Sequence, residues 1–157
     1  MDQSRAFRDA LAQYPTGVAV VTIASAEGPR AMTINSFASV SLDPALILWS
    51  VAKDSERWRS FRDAPVFAVN VLAADQAAVA SACARNDALD ESGAPWRQNG
   101  EVAVLDGAVA WFECALSAIH PGGDHDIIVG EVTRFSARPD TPALLFHRSQ
   151  FSFTHKD

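Results

Sequence analysis

A mainly β protein with a few short helices, folded as an antiparallel barrel or sandwich, is what the 157-residue sequence predicts. Short runs rich in Val, Ile and Thr recur along the chain. Residues that favour turns separate those runs. Helical spacing appears only in brief stretches.

Ser4 is placed to cap a first helix in which Phe7, Ala10, Leu11 and Tyr14 fall at i, i+3, i+4 and i+7. Pro15 ends it, because the residue before a proline disfavours helical geometry. Residues 17–23, GVAVVTI, are too short for a typical helix and predict a buried strand. Glu27, Gly28 and Pro29 turn the chain into a second strand at 30–35, making a hairpin. Residues 32–50, MTINSFASVSLDPALILWS, predict an extended segment, a polar turn region and a buried third strand at 45–51, with a turn at 42–44. Ser55 caps a short helix carrying Trp58, Phe61 and Arg62. Residues 66–72 form another strand, and Asp75 caps a helix with Ala78, Val79, Ala82 and Cys83 on one face. Residues 85–98 are polar, contain Gly93 and Pro95, and predict a long loop of the kind that covers a site. Late strands at 108–119 and 127–135 are joined through 120–124. A turn at 139–142 precedes short terminal strands at 143–146 and 151–153.

The length predicts one domain, residues 1–157, able to bury about 68–70% of its unfolded surface. Net charge is −6, and Lys and Arg are scattered, which argues against nucleic acid or an anionic membrane as partner. Residues 1–13 are dotted with charge, unlike a signal peptide, and no apolar run reaches the ~20 residues of a membrane span. Cys83 and Cys114 lack zinc-ligand or CxxC spacing and predict two reduced thiols in a cytoplasmic protein. His120 and His125 flank a Gly-Pro turn rather than sharing a helical face, so no metal is expected. No GxGxxG, GxxxxGK[ST] or GxSxG occurs.

Within 32–50, Thr33, Asn35 and Ser36 are small hydrogen-bonding residues among Met32, Ile34, Phe37 and Val40. That mixture suits a flat polar ligand, whose faces want apolar cover and whose edge wants donors and acceptors. A hairpin with a capped turn fits the pattern equally. In 50–55, SVAKDS, a helix start with Lys53 and Ser55 would favour a phosphate. A capped surface helix with one solvated lysine is the more ordinary reading of the same residues. In 122–126, GGDHD, the glycines let backbone approach a ligand, and His125 can hydrogen-bond a carbonyl or phosphate. A β-turn with a solvent-facing histidine fits as well.

Taken together and in order, FRDALAQYPTGVAVVT (7–22), TINSFASVSLDPALILWSV (33–51), KDS (53–55), FAVNVL (67–72), LDGAVAWFEC (105–114) and GGDHDIIVGEV (122–132) resemble the flavin reductase-like family. That resemblance implies the FMN-binding split β-barrel fold. It also implies an NAD(P)H:flavin oxidoreductase that passes hydride to FMN, or to FAD, and releases reduced flavin to a separate monooxygenase. Thr33, Asn35 and Ser36 would line the isoalloxazine or ribityl chain. Ser50, Ala52, Lys53 and Ser55 would hold the phosphate, and Arg85 would reach the phosphate or its edge. His125 would be the catalytic-site residue, beside the nicotinamide of NADH or NADPH or beside the exposed flavin face. A homodimer is expected on the same ground. The chain departs from the family at 87–90, which lacks a basic residue and a Phe, and at 146–151, which reads FHRSQF. Those departures keep two alternatives open: a flavoenzyme that retains FMN and acts directly on an organic substrate, and a non-catalytic flavin-binding module.

Overall fold

The computed structural model describes residues 2–155. Helix α1 (Gln3–Leu11) is followed by strands β1 (Thr16–Gly17), β2 (Ala19–Ile23), β3 (Arg30–Ile34), β4 (Ala38–Leu42) and β5 (Ala45–Ala52). Helix α2 (Trp58–Arg62), strand β6 (Val66–Val71) and helix α3 (Ala77–Arg85) come next. Strands β7 (Trp96–Asn99), β8 (Val102–Leu105), β9 (Ala110–Gly122), β10 (His125–Ala137), β11 (Leu144–His147) and β12 (Gln150–Phe153) complete the chain. Single 3-10 turns lie at Ala74–Gln76 and Leu89–Glu91.

The expected antiparallel barrel forms, and chain connectivity explains its closure. Seven strands hydrogen-bond in the order β3-β2-β6-β9-β10-β5-β4, so β3 and β4, consecutive in the chain, sit at opposite edges. A flat sheet would hold those edges about 29 Å apart, at ~4.8 Å per strand spacing. The tether from Ile34 to Ala38 spans no more than about 14 Å. The sheet must therefore curl until its edges face one another. Among the described residues no ladder joins β3 to β4, and residues 35–37 cross the seam that this leaves. The barrel is split there. A smaller sheet, β1-β11-β12, and the β7-β8 hairpin pack outside it.

Alternation along the strands decides what fills the barrel. On β5, Ile47, Trp49 and Val51 turn inward. Trp49 is fully buried and meets Phe61 and Phe67 edge-on, at ring-centroid distances of 6.4 Å and 5.9 Å. Strand β2 is buried at every residue because both its faces are covered. Ala19, Val21 and Ile23 enter the barrel core, whereas Val20 joins Leu72, Ala80, Cys83 and Leu105 in a second core under α3. Asn70 on β6 is fully buried yet satisfied. Its amide donates to Val20 O (2.9 Å) and its oxygen accepts from Leu105 N (2.9 Å), which welds β6 to β8. Both cysteines are free and buried, and burial pushes their thiols up, that of Cys114 to about 12.

Several local expectations are corrected. Asp2, not Ser4, caps α1: its carboxylate accepts from Ser4 N at 3.0 Å, and the helix stops at Leu11, before Pro15 can act. The expected apolar face of α1 buries nothing, since Phe7, Leu11 and Tyr14 are 64%, 57% and 75% exposed. Asp75 lies in the 3-10 turn, and the Gln76 side chain accepts from Ala73 N instead. The face of α3 that packs inward carries Ala80 and Cys83, while Ala78 is exposed. The expected loop at 85–98 is partly ordered. Ala31 N donates to Asp87 O and Leu89 N to Pro29 O, so the segment covers the free edge of β3, anchored by the fully buried Leu89. Strands β4, β7 and β8 were not expected, and the expected strand at 17–23 is divided into β1 and β2, so 45–51 lies in the fifth strand rather than the third.

Candidate active site

The residues that cross the seam divide their polar groups between structure and surface. Thr33 Oγ1 donates to Ala80 O at 2.6 Å, fastening β3 to α3. Ser36 Oγ accepts from Ser50 N at 2.9 Å, so these two candidate serines form one contact that ties the crossing to β5. Asn35 is exposed, and its amide has no hydrogen-bond partner among the described residues. Thr33 and Asn35 line a largely apolar pocket of about 290 Å³ with Val18, Ala84, Phe146 and Phe151. The hairpin β11-β12 forms the far wall, with the rings of Phe146 and Phe151 5.6 Å apart. Its turn residues Arg148 and Ser149 both have positive φ, and Arg148 Nη2 donates to Gln13 Oε1 at 2.6 Å, strapping the hairpin to the segment after α1. The atypical 146–151 segment is thus a wall of this pocket.

A second, polar pocket of about 560 Å³ is lined by Arg30, Ser55, Glu56, Arg57, Arg85, Asn86 and Asp87. It brings Ser55 and Arg85 together across a long stretch of sequence. Arg30 is engaged by Asp87 at 3.5 Å and Glu27 at 3.9 Å. Arg85, at the end of α3, makes no ion pair among the described residues. Consecutive residues at the end of α3 serve both pockets, Ala84 lining the apolar one and Arg85 the polar one.

Arg57 organises this region and was not singled out from sequence. Its guanidinium donates to Cys83 O (2.6 Å), Ala84 O (3.0 Å) and Ala31 O (3.3 Å), and its backbone N–H donates to Ser55 Oγ (3.2 Å). A cation thereby caps the carbonyl end of α3 and fixes Arg85 beside Ser55. The run ERWR at 56–59 signalled charge, but nothing local signalled carbonyl partners 26 residues away. The expectation that Ser55 caps the following helix is corrected. Helix α2 begins at Trp58 without a side-chain cap, and the Ser55 hydroxyl serves the turn before it. Positive charge here comes from arginines rather than from the end of a five-residue helix.

The remaining candidates meet where β5 ends and β10 begins. Strand pairing sets Ala52 opposite His125, and Lys53 N donates to Asp124 O at 2.9 Å. Gly123, with φ +73°, makes the reversal that brings them together, whereas Gly122 continues β9. His125 is half-buried, and its Nδ1 lies 2.7 Å from Asp124 Oδ1. That hydrogen bond, then the charge of His125 and to a lesser degree that of Lys53, hold the exposed Asp124 carboxyl below its ordinary range. Neither His125 nor Lys53 lines either of the two pockets described above.

The flavin reductase like domain model matches residues 11–155. The chain is 50% identical over 146 residues to the FMN reductase (NADH) of Agrobacterium fabrum, spanning 90% of this chain and 81% of that protein. Among solved structures, the NADH:FAD oxidoreductase of Streptomyces globisporus superposes with a TM-score of 0.92 at 36% identity, over 99% of this chain and 95% of that one. The flavin reductase component of a bacterial two-component tryptophan halogenase gives a TM-score of 0.90 at 38% identity, over 99% of both chains.

Proposed function

The chain belongs to the flavin reductase-like domain family, and from that premise we propose that it is an NADH-dependent flavin reductase supplying reduced flavin to a separate oxygenase. The observation that carries the assignment of its site is that consecutive residues of α3, Ala84 and Arg85, line an apolar and a cationic pocket. A cationic, donor-lined pocket next to an apolar one fits a flat ring that bears a phosphate on a short chain. The donor set therefore suits FMN, and equally the first phosphate of FAD.

When bound, the flavin supplies the two-electron redox chemistry. The protein binds and orients. Arg85 and the Ser55 hydroxyl take the phosphate, with Lys53 adding charge at the rim. Asn35 offers its unpartnered amide to the ring edge. Thr33 and Ser36 hold the crossing in place, because their hydroxyl protons are already directed at Ala80 O and Ser50 O. Ala52 and Ser50 act through backbone. Asp124 accepts from His125 Nδ1, and in the neutral ring this leaves Nε2 as an acceptor. His125 then orients the nicotinamide through Nε2, which accepts from its carboxamide N–H₂ when the ring is neutral and donates to its carboxamide oxygen when the ring is charged.

A homodimer accounts for the exposed apolar stripe of α1 and for Leu42, which is 97% exposed at the tip of the β4-β5 hairpin. The two buried free thiols are in keeping with a reducing, cytoplasmic setting. No helix among the described residues is long and apolar enough to cross a membrane.

The test is anaerobic stopped-flow absorbance at the oxidised-flavin band after mixing the FMN-loaded chain with NADH. Rapid bleaching, followed by reoxidation when an external acceptor is added, is the expected result. Bound FMN that stays oxidised would overturn the reductase assignment.

A further inference from the structure

Asp126 is a buried carboxylate to which the reaction above assigns no task. His125 precedes it on β10, and strand alternation turns the two side chains to opposite faces. Asp126 is only 6% exposed, a position that costs free energy unless the charge is paired. Its Oδ2 accepts from Trp58 Nε1 at 2.7 Å. Arg62 Nε lies 3.3 Å from the same oxygen, close enough to pair its charge although not aligned as a hydrogen bond. The Arg62 guanidinium also sits 5.6 Å from the Trp58 ring centroid, so the three side chains form one cluster.

Both partners of Asp126 belong to α2, the helix that follows the polar pocket. Residues 53–62 are thus fastened at two points, one in the turn that leads into β10 and one on β10 itself. Lys53 N holds Asp124 O at the start, and Trp58 with Arg62 holds Asp126 at the end. Ser55 and Arg57, two walls of the polar pocket, lie between those attachments. His125 lies between Asp124 and Asp126. The apolar contact of α2, Phe61 against Trp49, sets how deeply the helix sits, but burial has no preferred direction along the strand. The hydrogen bond from Trp58 to Asp126 does have one.

We propose that Asp126 is a positioning residue that holds the polar pocket in register with His125, so that one strand sets both the phosphate subsite and the nicotinamide side. The inference rests on the assignment of the polar pocket made above. It is tested by equilibrium fluorescence titration of the full chain with FMN and with riboflavin, which shares the ring and ribityl chain but lacks the phosphate. The unsubstituted chain should favour FMN. Asp126→Ala should lower FMN affinity about tenfold or more, the size of one charge-assisted contact, while riboflavin affinity stays within about twofold. Asp126→Asn keeps an acceptor for Trp58 and should recover most of the preference. An FMN preference that survives in Asp126→Ala, or an equal loss for both flavins, would overturn the positioning role. If Asp126→Ala does not fold, Trp58→Phe removes the donor, keeps an aromatic ring and is read by the same ratio. An unsubstituted chain that binds both flavins equally would sink the pocket assignment itself and this inference with it.

Discussion

Arg57 reaches three backbone carbonyls with one planar guanidinium, a geometry that needs a fork of donors rather than a single charged point. Arg57→Ala should therefore lower stability by roughly 1–3 kcal/mol in urea denaturation and weaken FMN as well, because the end of α3 and Arg85 lose their anchor. Arg57→Lys restores the charge but not the fork and should recover little. Lys53 is the contrasting case. It is exposed, and its side chain makes no hydrogen bond or ion pair among the described residues. Lys53→Ala should weaken FMN by about 1–3 kcal/mol with the denaturation midpoint unmoved; an unchanged FMN affinity would remove Lys53 from the site. These two residues show what sequence reveals at this scale. The types of Thr33, Asn35 and Ser36 single out the crossing as a candidate, but do not show that two of the three hydroxyl or amide groups are spent on Ala80 and Ser50. Such partners are set by tertiary approach and leave no trace in local spacing.

Elements with a clear period were the legible ones. The fully buried run of β2, the alternation of β5 and the long pair β9 and β10 all follow from their apolar patterns. Strand β4 has no such pattern, because its residues are nearly all exposed and its ladder with β5 shifts register between Ser39 and Ser41. Strand β7 is largely polar and is recognisable only as the partner of β8. The apolar run VAVL of β8 was a readable signal that the neighbouring turn residues obscured. Gly130 on β10 marks a second register shift, and its position has a steric cause. A Cβ there would lie 2.5 Å from Phe67 Cζ and 2.8 Å from Cys114 Cβ. Gly130→Ala should cost about 1–3 kcal/mol through overpacking, seen as a lower urea midpoint at unchanged m; wild-type stability would mean that the Phe67 ring can yield.

For the molecule as a whole, the antiparallel β class was legible from pattern and the split barrel from the family resemblance, whereas the surfaces that remain uncovered were not. Helical spacing sets Phe7 and Leu11 on one face of α1, with Tyr14 beyond its end, but spacing does not say whether such a stripe is covered by the same chain. In a dimer the second copy does so. Light scattering coupled to size exclusion should give twice the 16.9 kDa chain mass, and Leu11→Glu together with Leu42→Glu should shift it toward one chain. A monomer at micromolar concentration would leave the stripe to another partner.

The seam between β3 and β4 also bears on which changes of chain length the protein tolerates. Its width is fixed by three residues, 35–37, and one inserted residue would slacken that tether by about 3.5 Å and turn the following side chains to the wrong faces. Insertions and deletions accumulated during divergence should therefore fall in the open turn at 139–142 and spare the crossing, making it the stretch against which distant copies of this barrel can be aligned without gaps.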